Sequence, residues 1–236
     1  MVATVNVVAE DYKSQLIAEV AGLAGAGKTT LIQALRQRDS KLLIGAELEL
    51  RKKGSLPVFI RISPYMLPVL FHRCQSSRWF TWEEIKYMVY LQGWPHVLRR
   101  QANTSRKSVL LDHGAIFKLA TLNEFGPVRL KDQHYESWWH RMYMQWAHTL
   151  DMVIWLEAPE SILVERINRR DQKHAMKGKS MSEARRFLAR YRSSYEQILD
   201  KLAAYRQPSL LRFDTSKTTM IDIADEVIAV CSSIRA

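Results

Sequence analysis

The sequence predicts an α/β fold of three layers, in which a five-stranded parallel sheet is covered by helices on both faces. Short apolar runs alternate with segments of helical periodicity along most of the 236 residues, as in right-handed β-α-β units. The run at 152–156, M-V-I-W-L, is apolar throughout, which is typical of a strand buried on both faces. A glycine-rich turn separates the first predicted strand from the first predicted helix. The predicted strands are 16–21, 41–46, 108–111, 152–156 and 209–213.

Helix signals fall between these strands. Capping-box spacing, in which Ser or Thr precedes Glu by three residues, marks two helix starts, at Thr81 and Ser180. The residues Gly93-Trp94-Pro95 are expected to kink or divide the first of these two helices. Thr215 or Ser216 is expected to cap the last helix. The predicted helices are 28–36, 81–101, a segment ending at 122, 136–148, 159–170, 180–204 and a segment ending at 233.

The composition is that of a folded globular chain, with 47% hydrophobic and 25% charged residues. We expect a single domain over 15–236, preceded by a flexible arm over 1–14, and a monomer or homodimer. No apolar run approaches the roughly 18 residues of a membrane span, so no membrane partner is predicted. The two cysteines lack metal-ligand spacing, and the N-terminus lacks the features of a signal peptide. These features predict a cytoplasmic protein with reduced thiols.

Basic residues are concentrated in one part of the chain. Lys and Arg number 35 against 24 Asp and Glu, and the segment 165–212 alone carries 13 basic and 5 acidic residues. Such a segment favours an anionic ligand, and a triphosphate, a nucleic acid or an acidic surface would each satisfy it.

One motif carries most of the functional argument. Gly22 to Thr29 reads G-L-A-G-A-G-K-T and matches the P-loop pattern G-x-x-x-x-G-K-[ST] between a predicted strand and a predicted helix. In such a loop the backbone amides surround phosphate oxygens, the Lys28 ammonium reaches the β and γ phosphates, and the Thr29 hydroxyl ligates Mg²⁺. The pattern predicts binding of a nucleoside triphosphate, with ATP and Mg²⁺ as cofactors. The predicted nucleotide-binding residues of the loop are Gly22, Gly25, Ala26, Gly27, Lys28, Thr29 and Thr30.

Further candidates follow later strands. Asp112 comes directly after an apolar strand, where a carboxylate holds Mg²⁺ directly or through water; a helix N-cap is the alternative. Arg166, Arg169 and Arg170 have helical spacing, so we expect them to share a face and to stabilise a phosphoryl group during transfer. Their alternative role is a solvated helix end with cations near its negative dipole. The predicted catalytic residues are therefore Lys28, Asp112, Arg166, Arg169 and Arg170.

These motifs, in this order, resemble the P-loop nucleotide and nucleoside kinase family, and the thymidylate-kinase-like proteins most of all. The resemblance extends from residue 16 onwards and rests on the P-loop, the strand ending in Asp112-His113, the segment 153–170 and the F-D-T-S turn at 213–216. It implies a P-loop kinase fold that moves the γ-phosphoryl group of ATP to a small-molecule hydroxyl or phosphate. It also implies that residues from about 169 to 181 form a lid over ATP, which would keep water out. By the same resemblance, Asp214, Thr215 and Ser216 lie beside the adenine ring.

The acceptor is less specified. Family members commonly have Asp-Arg where this chain has Asp112-His113, and His113 is expected to be neutral at pH 7, which weakens the case for a monophosphate acceptor. Arg99 or Arg100 is a candidate replacement for that arginine. Six of the seven tryptophans lie between 79 and 146, where stacking on a base and ordinary core packing are both open, core packing being favoured. The candidate bases for an acceptor hydroxyl are Glu47, Glu49 and Asp112.

Two other functions remain open from sequence. A nucleic-acid-directed kinase would use the basic segment 165–212 and would bind oligonucleotides with strong salt dependence, although a nucleoside- or nucleotide-like small molecule is the favoured acceptor. A non-catalytic nucleotide switch is the other alternative, but a GTPase-type N-K-x-D motif is absent from the sequence.

Overall fold

Five parallel strands form one sheet in the computed structural model, which describes residues 15–38, 42–44, 78–105, 107–171 and 174–235. The sheet order is β2-β3-β1-β4-β5, so the chain crosses over from one side of β1 to the other after β3. The predicted five-stranded parallel sheet is therefore confirmed. The strands are β1 (Ile17–Gly22), β2 (Leu42–Ile44), β3 (Ser108–Asp112), β4 (Met152–Glu157) and β5 (Ser209–Asp214).

The two central strands, β1 and β4, are apolar because both of their faces are buried. All six residues of β1 are buried, and five of the six in β4 are buried, because helices cover both faces of the sheet. One residue of β1 is not apolar: Glu19 lies in the middle of the strand and is completely buried. One contiguous hydrophobic core includes residues of every described element whose side chains are described.

The helices extend the predicted segments by a few residues at most. α1 packs with α7, while α3 packs with α6 and α2, giving the layers on the two sides of the sheet. Two short 3₁₀ turns, Val128–Lys131 and Gln133–Tyr135, precede α4. The helices are α1 (Lys28–Arg38), α2 (Trp82–Ser105), α3 (Ala115–Phe125), α4 (Glu136–Ala147), α5 (Glu160–Arg169), α6 (Met181–Ala203) and α7 (Met220–Arg235).

Helix α2 is not divided at Pro95, which contradicts one of the two predicted outcomes, a division or a kink. It runs without interruption from Trp82 to Ser105 with Pro95 inside it. Proline removes the N–H that would bond the carbonyl four residues earlier, which is that of Leu91. The indole Nε1 of Trp146, in α4, donates to this carbonyl at 2.8 Å in a buried position. A distant side chain thus satisfies the acceptor that Pro95 leaves free.

Helix starts are partly as predicted. Both capping boxes are confirmed, at Thr81 with Glu84 and at Ser180 with Glu183. The predicted cap of the last helix is wrong, because α7 begins later, and the Thr219 hydroxyl accepts the Asp222 amide at 3.2 Å.

Parts of the prediction lie outside the described residues. These are the arm over 1–14 and the candidate bases Glu47 and Glu49. Among the described helices, none is long and apolar enough to cross a membrane.

Candidate nucleotide-binding site

The turn after β1, from Gly22 to Gly27, forms a glycine-rich cradle at the carboxyl edge of the sheet. Gly22, Gly25 and Gly27 have φ angles of 142°, 86° and 95°. A side chain at Gly25 is unfavourable for two reasons. The φ angle of Gly25 favours glycine, and a Cβ atom would lie 2.7 Å from the backbone oxygen of Leu163 in α5. α1 begins at Lys28, so its free amides and positive dipole end lie at the cradle. The predicted order of strand, glycine turn and helix is confirmed.

Lys28 lies where this turn meets α1. Its Nζ donates to the backbone oxygens of Gly22, at 2.8 Å, and Leu23, at 3.0 Å. Burial lowers the pKa of Lys28 to about 8, while Asp112 opposes this shift and Arg170 adds to it. An ammonium has three donors, so one remains for a further acceptor. An anionic group beside Lys28 would stabilise its charged form.

Asp112 ends β3, next to Val20 of β1 and close to the cradle. Its Oδ1 atom is buried and has no hydrogen-bond partner among the described residues. The Nε2 atom of His113 lies 3.8 Å from Oδ1, too far for a hydrogen bond. A buried carboxylate oxygen without a donor is costly unless a cation or donor joins it. This oxygen is therefore the best candidate in the site for contact with a cation.

The donor set around Asp112 fits magnesium. Thr29 is exposed in the first turn of α1, with a hydroxyl of the kind that ligates Mg²⁺ in P-loop proteins. In the ranges that the structure describes, no group of three or more His, Cys, Asp or Glu side chains could hold a metal ion. Mg²⁺ usually takes only one or two protein carboxylates and completes its shell with phosphate oxygens and water. Asp112 and Thr29 satisfy that requirement.

Arg166 connects the cradle to the turn after β5. Its guanidinium donates to the Thr215 hydroxyl at 2.8 Å, to the Thr215 backbone oxygen at 2.9 Å and to the Gly25 backbone oxygen at 3.3 Å. Thr215 itself donates its hydroxyl to the backbone oxygen of Glu157 at 3.2 Å. These bonds hold three carboxyl-edge segments, those after β1, β4 and β5, in one arrangement.

The three predicted arginines do not share a helix face. α5 ends at Arg169, and Arg170 follows in an extended conformation, with φ −77° and ψ 145°, so helical spacing no longer applies to it. Arg169 forms an exposed ion pair with Glu165 at 2.6 Å. Arg170 nevertheless acts electrostatically on the cradle, because its charge lowers the pKa of Lys28.

Asp214, Thr215 and Ser216 form a tight turn after β5. The Asp214 carboxylate accepts from the Ser216 amide at 2.9 Å and from the Ser216 hydroxyl at 2.6 Å, and these bonds lower the pKa of Asp214. Through the bond between Thr215 and Arg166, this turn lies beside the P-loop. The structure thus brings the predicted base-side and phosphate-side residues together.

The described part of the predicted lid lies between α5 and α6. Residues 175–178 form a turn that includes Gly178, with φ 76°, and Ser180 starts α6 with its capping box. The pKa of His174 is lowered by burial and by the charges of Arg170 and Lys28. The positive charges of Lys28 and Arg170 thus act on this segment.

His113 stands where the resembling family carries arginine. It has a positive φ of 51°, and its ring stacks on Phe117 with centroids 4.6 Å apart. Burial lowers the pKa of His113, and Lys28 lowers it further, so its imidazole is neutral at pH 7.

The two candidate replacements for the family arginine, Arg99 and Arg100, both lie in α2. Arg99 donates to the backbone oxygen of His148 at 2.8 Å, at the amino end of β4 and thus at the opposite edge of the sheet. Arg100 follows Arg99 in α2 and is exposed. Of the two candidates, Arg99 is therefore placed away from His113.

Several residues of this region were missed by sequence reasoning. Glu19 accepts hydrogen bonds from the first amides of α3, and Lys118 donates to the backbone oxygens of His113 and Gly114. Lys118 also lies over the Tyr90 ring at 4.0 Å. The one available signal was the acidic residue inside the apolar run L-I-A-E-V-A, because a charge within a buried strand needs a specific partner.

The aromatic residues and the basic segment are largely engaged in structure. Trp94, Trp138 and Trp146 are buried in the core, which agrees with the packing interpretation, whereas Trp79 and Trp82 are 49% and 72% exposed and do not follow it. Of the basic segment, Arg190 pairs with Glu124 and Arg206 with Asp151, as Arg169 does with Glu165.

The sheet order, the glycine cradle after β1 and the carboxylate ending β3 together define a P-loop α/β fold. Deoxyadenosine kinase from M. mycoides with bound dATP is similar in structure, with a TM-score of 0.50 and 16% sequence identity, over 91% of this chain and 100% of that chain. The same enzyme with bound dCTP has a TM-score of 0.47 and 13% identity, over 91% of this chain and 100% of that chain. The resemblance to P-loop nucleotide and nucleoside kinases is thus confirmed for the fold.

The sequence itself has no such match. No family model matches it. No curated protein matches it either.

Proposed function

We propose that this chain is an ATP- and Mg²⁺-dependent phosphotransferase whose acceptor is the hydroxyl group of a nucleoside-like small molecule. The observation that carries the proposal is the pairing of two neighbouring strand ends. The P-loop cradle with Lys28 follows β1, and Asp112, which ends the adjacent β3, has a buried oxygen without a hydrogen-bond partner in the described part of the chain. Phosphate-binding amides, a cation and a carboxylate at one edge are the parts that phosphoryl transfer requires.

The P-loop residues hold the phosphates in this proposal. Amides of the turn and of the first residues of α1 bind phosphate oxygens, and Lys28 reaches the β and γ phosphates; the Ala26 amide, which donates to the Leu23 backbone oxygen at 3.2 Å, supports the turn itself. Thr29 and Asp112 would hold Mg²⁺, which when bound neutralises phosphate charge and orients the γ-phosphoryl group. Burial lowers the pKa of Lys28, and the negative charge of a bound nucleotide would raise it again and stabilise the ammonium form.

The arginines have different roles. Arg166 is committed to Gly25 and Thr215, so it holds the shape of the cradle and of the adenine-side turn formed by Asp214, Thr215 and Ser216. Arg169 and Arg170, both exposed at the end of α5, belong to the lid over 169–181 and stabilise charge on the transferred group.

A hydroxyl acceptor is favoured over a monophosphate by His113. Its neutral imidazole offers no permanent positive charge to a second phosphate. The stacked rings of His113 and Phe117, with Tyr87 at 6.0 Å from Phe117, provide aromatic faces suited to a base or sugar. The similar fold of a deoxyadenosine kinase supports a nucleoside as this acceptor. The proton of the hydroxyl is accepted by Glu47, Glu49 or Asp112.

Turnover measurements test the proposal. ADP formation from ATP and Mg²⁺ is measured with deoxyadenosine, deoxycytidine, deoxyguanosine, thymidine, their monophosphates and a short oligonucleotide. We expect acceptor-dependent ADP with at least one nucleoside and less with every monophosphate. Phosphorylation of the oligonucleotide alone would favour the nucleic-acid-directed alternative, and no acceptor-dependent ADP at all would contradict the proposal.

The variant Lys28→Ala tests the site. It should lower kcat/KM by at least about a hundredfold, the scale of losing a charged contact in the transition state. Lys131→Ala is the matched control, because Lys131 is an exposed lysine in the first 3₁₀ turn. Equal activity of the two variants would remove Lys28 from the mechanism.

A further inference from the structure

A buried carboxylate joins the strand of the P-loop to the turn that carries Asp112. Glu19 lies in the middle of β1, three residues before Gly22, and is completely buried. Its Cα pairs with Leu111 of β3, so its backbone is fixed next to the strand that ends in Asp112. Its side chain extends from β1 to the start of α3.

At α3 the Glu19 carboxylate replaces a missing helix cap. The Ile116 amide donates to Oε2 at 3.0 Å, and the Phe117 amide donates to Oε1 at 3.3 Å. Gly114 occupies the N-cap position of α3 and offers no side-chain cap. A carboxylate at a helix N-terminus accepts the free amides and complements the helix dipole. Glu19 therefore fixes the beginning of α3 from a different strand.

The space around this carboxylate is filled. A Cβ atom at Gly114 would lie 2.7 Å from both Cδ and Oε2 of Glu19, so the turn approaches the carboxylate as closely as a glycine allows. Lys118 holds the same turn from its other side, through the backbone oxygens of His113 and Gly114. Its charge interacts with those of Glu19 and Asp112. The turn from Asp112 to Gly114 thus contacts the buried carboxyl group of Glu19 and the half-buried ammonium of Lys118.

We propose that Glu19 is a positioning residue for nucleotide chemistry, which holds the Asp112 carboxylate in register with the P-loop. The inference rests on the proposed function of Asp112 as a ligand of nucleotide-bound Mg²⁺. Glu19 contacts neither Asp112 nor the P-loop glycines through the hydrogen bonds of its side chain, and it acts through the amides of α3. Partners of this kind, one shell behind a metal ligand, typically change metal affinity by about 10- to 100-fold when altered.

Glu19→Gln is the central variant. The amide keeps the size of the side chain, but its NH₂ group turns a donor towards the donor amides of α3 and removes the charge opposite Lys118. ATP affinity is measured by equilibrium dialysis with Mg²⁺ and with chelator, in the full chain. We expect Mg²⁺ to tighten ATP binding to the wild type by about tenfold or more, and to Glu19→Gln by less than about threefold. ATP affinity in chelator should be the same for both.

Ser194→Ala is the matched control. The Ser194 hydroxyl is buried and donates to the Ala120 backbone oxygen at 3.1 Å, so this variant also removes a buried hydrogen bond to α3, but far from Asp112. It should keep the full effect of Mg²⁺. A merely structural role of Glu19 would lower both ATP affinities together, or would make the two variants behave alike.

Gly114→Ala is the second variant, in case Glu19→Gln does not fold. Its added Cβ displaces the Glu19 carboxylate, so it should also lose the effect of Mg²⁺, while in a Glu19→Ala background it should have little further effect. A folded Glu19→Gln or Gly114→Ala variant with the wild-type gain from Mg²⁺ would overturn the inference. A wild type that does not bind ATP would instead contradict the proposed function, so the two failures are distinguishable.

Discussion

The two turns that follow β1 and β3 lie side by side, yet their shapes are fixed in different ways. The turn after β1 takes its conformation from its own glycines and is closed by local bonds, such as that from Lys28 to the Gly22 backbone oxygen. The turn after β3 contains a non-glycine residue at positive φ, His113, and depends on Glu19 and Lys118. The phosphate cradle is thus specified locally, and the carboxylate beside it is specified by the tertiary fold.

The largest expected effect concerns the local turn. Gly25→Ala adds a side chain at φ 86° and places its Cβ atom 2.7 Å from a backbone oxygen. We expect a loss of at least about 3 kcal/mol in unfolding free energy, because strain and overpacking add. Urea denaturation measures it.

Gly178→Ala is the control for strain without a clash. Gly178 has φ 76°, and no atom of the residues that the structure describes lies within 4 Å of a Cβ atom built there. Its cost should be only about 1–2 kcal/mol, from the left-handed backbone alone. Equal losses for the two variants would show that the packing of the cradle on α5 contributes nothing.

The support of the turn after β3 by Glu19 should make the unfolding free energy depend on pH. Burial raises the pKa of Glu19 from 4.5 to about 7, against the opposing effects of the α3 amides and Lys118. An acid with a raised folded-state pKa binds its proton more tightly when folded, so its contribution to stability is complete below pH 4.5 and is lost as the pH rises to about 7. Unfolding free energy should therefore fall by about 2 kcal/mol between pH 5 and 7, relative to Glu19→Gln.

Three groups that face Glu19 titrate above that window, while His113, whose pKa is lowered by burial, is the same in wild type and variant. Burial lowers the pKa of Lys118 to about 8, and burial raises the pKa values of Tyr90 and Tyr195 well above 10. The difference in unfolding free energy between wild type and Glu19→Gln isolates the carboxyl group. A difference that stays constant from pH 5 to 7 would contradict the assignment.

A smaller effect tests another element fixed by a distant partner. Trp146→Phe removes the donor to the Leu91 carbonyl that Pro95 leaves free in α2, so it should cost about 1–2 kcal/mol of unfolding free energy. In a Pro95→Ala background the backbone supplies a donor again, and the same substitution should cost less. Additive effects of the two substitutions in a double-mutant cycle would show that this bond is not the compensation for Pro95.

The smallest effect would qualify the contrast between the two turns. Arg166 bonds the cradle at Gly25 and the β5 turn at Thr215, so the first turn also has one long-range support. Arg166→Lys keeps the charge but cannot span these acceptors, and we expect ATP to bind about five- to tenfold more weakly. Arg190→Lys, which changes a guanidinium bonded to Glu124 instead, should leave ATP affinity unchanged.

The same contrast explains what the sequence could predict. The strands, the glycine turn between β1 and α1, and both capping boxes depend on neighbouring residues, and these structural predictions are confirmed. Glu19 meets Phe117 across 98 residues, Trp146 meets Leu91 across 55, and Arg166 meets Thr215 across 49. No local pattern encodes such contacts. The continuity of α2 and the different contacts of Arg166 and Arg169 therefore became visible only in the fold.

Competition for bound ATP tests most directly the claim that the cradle after β1 binds a polyphosphate. Inorganic tripolyphosphate and adenosine are each titrated against ATP on the wild type, in the presence of Mg²⁺. Because phosphate contacts dominate the site, tripolyphosphate should displace ATP at lower concentration than adenosine does. Displacement by adenosine but not by tripolyphosphate, or no binding of ATP, would contradict the account.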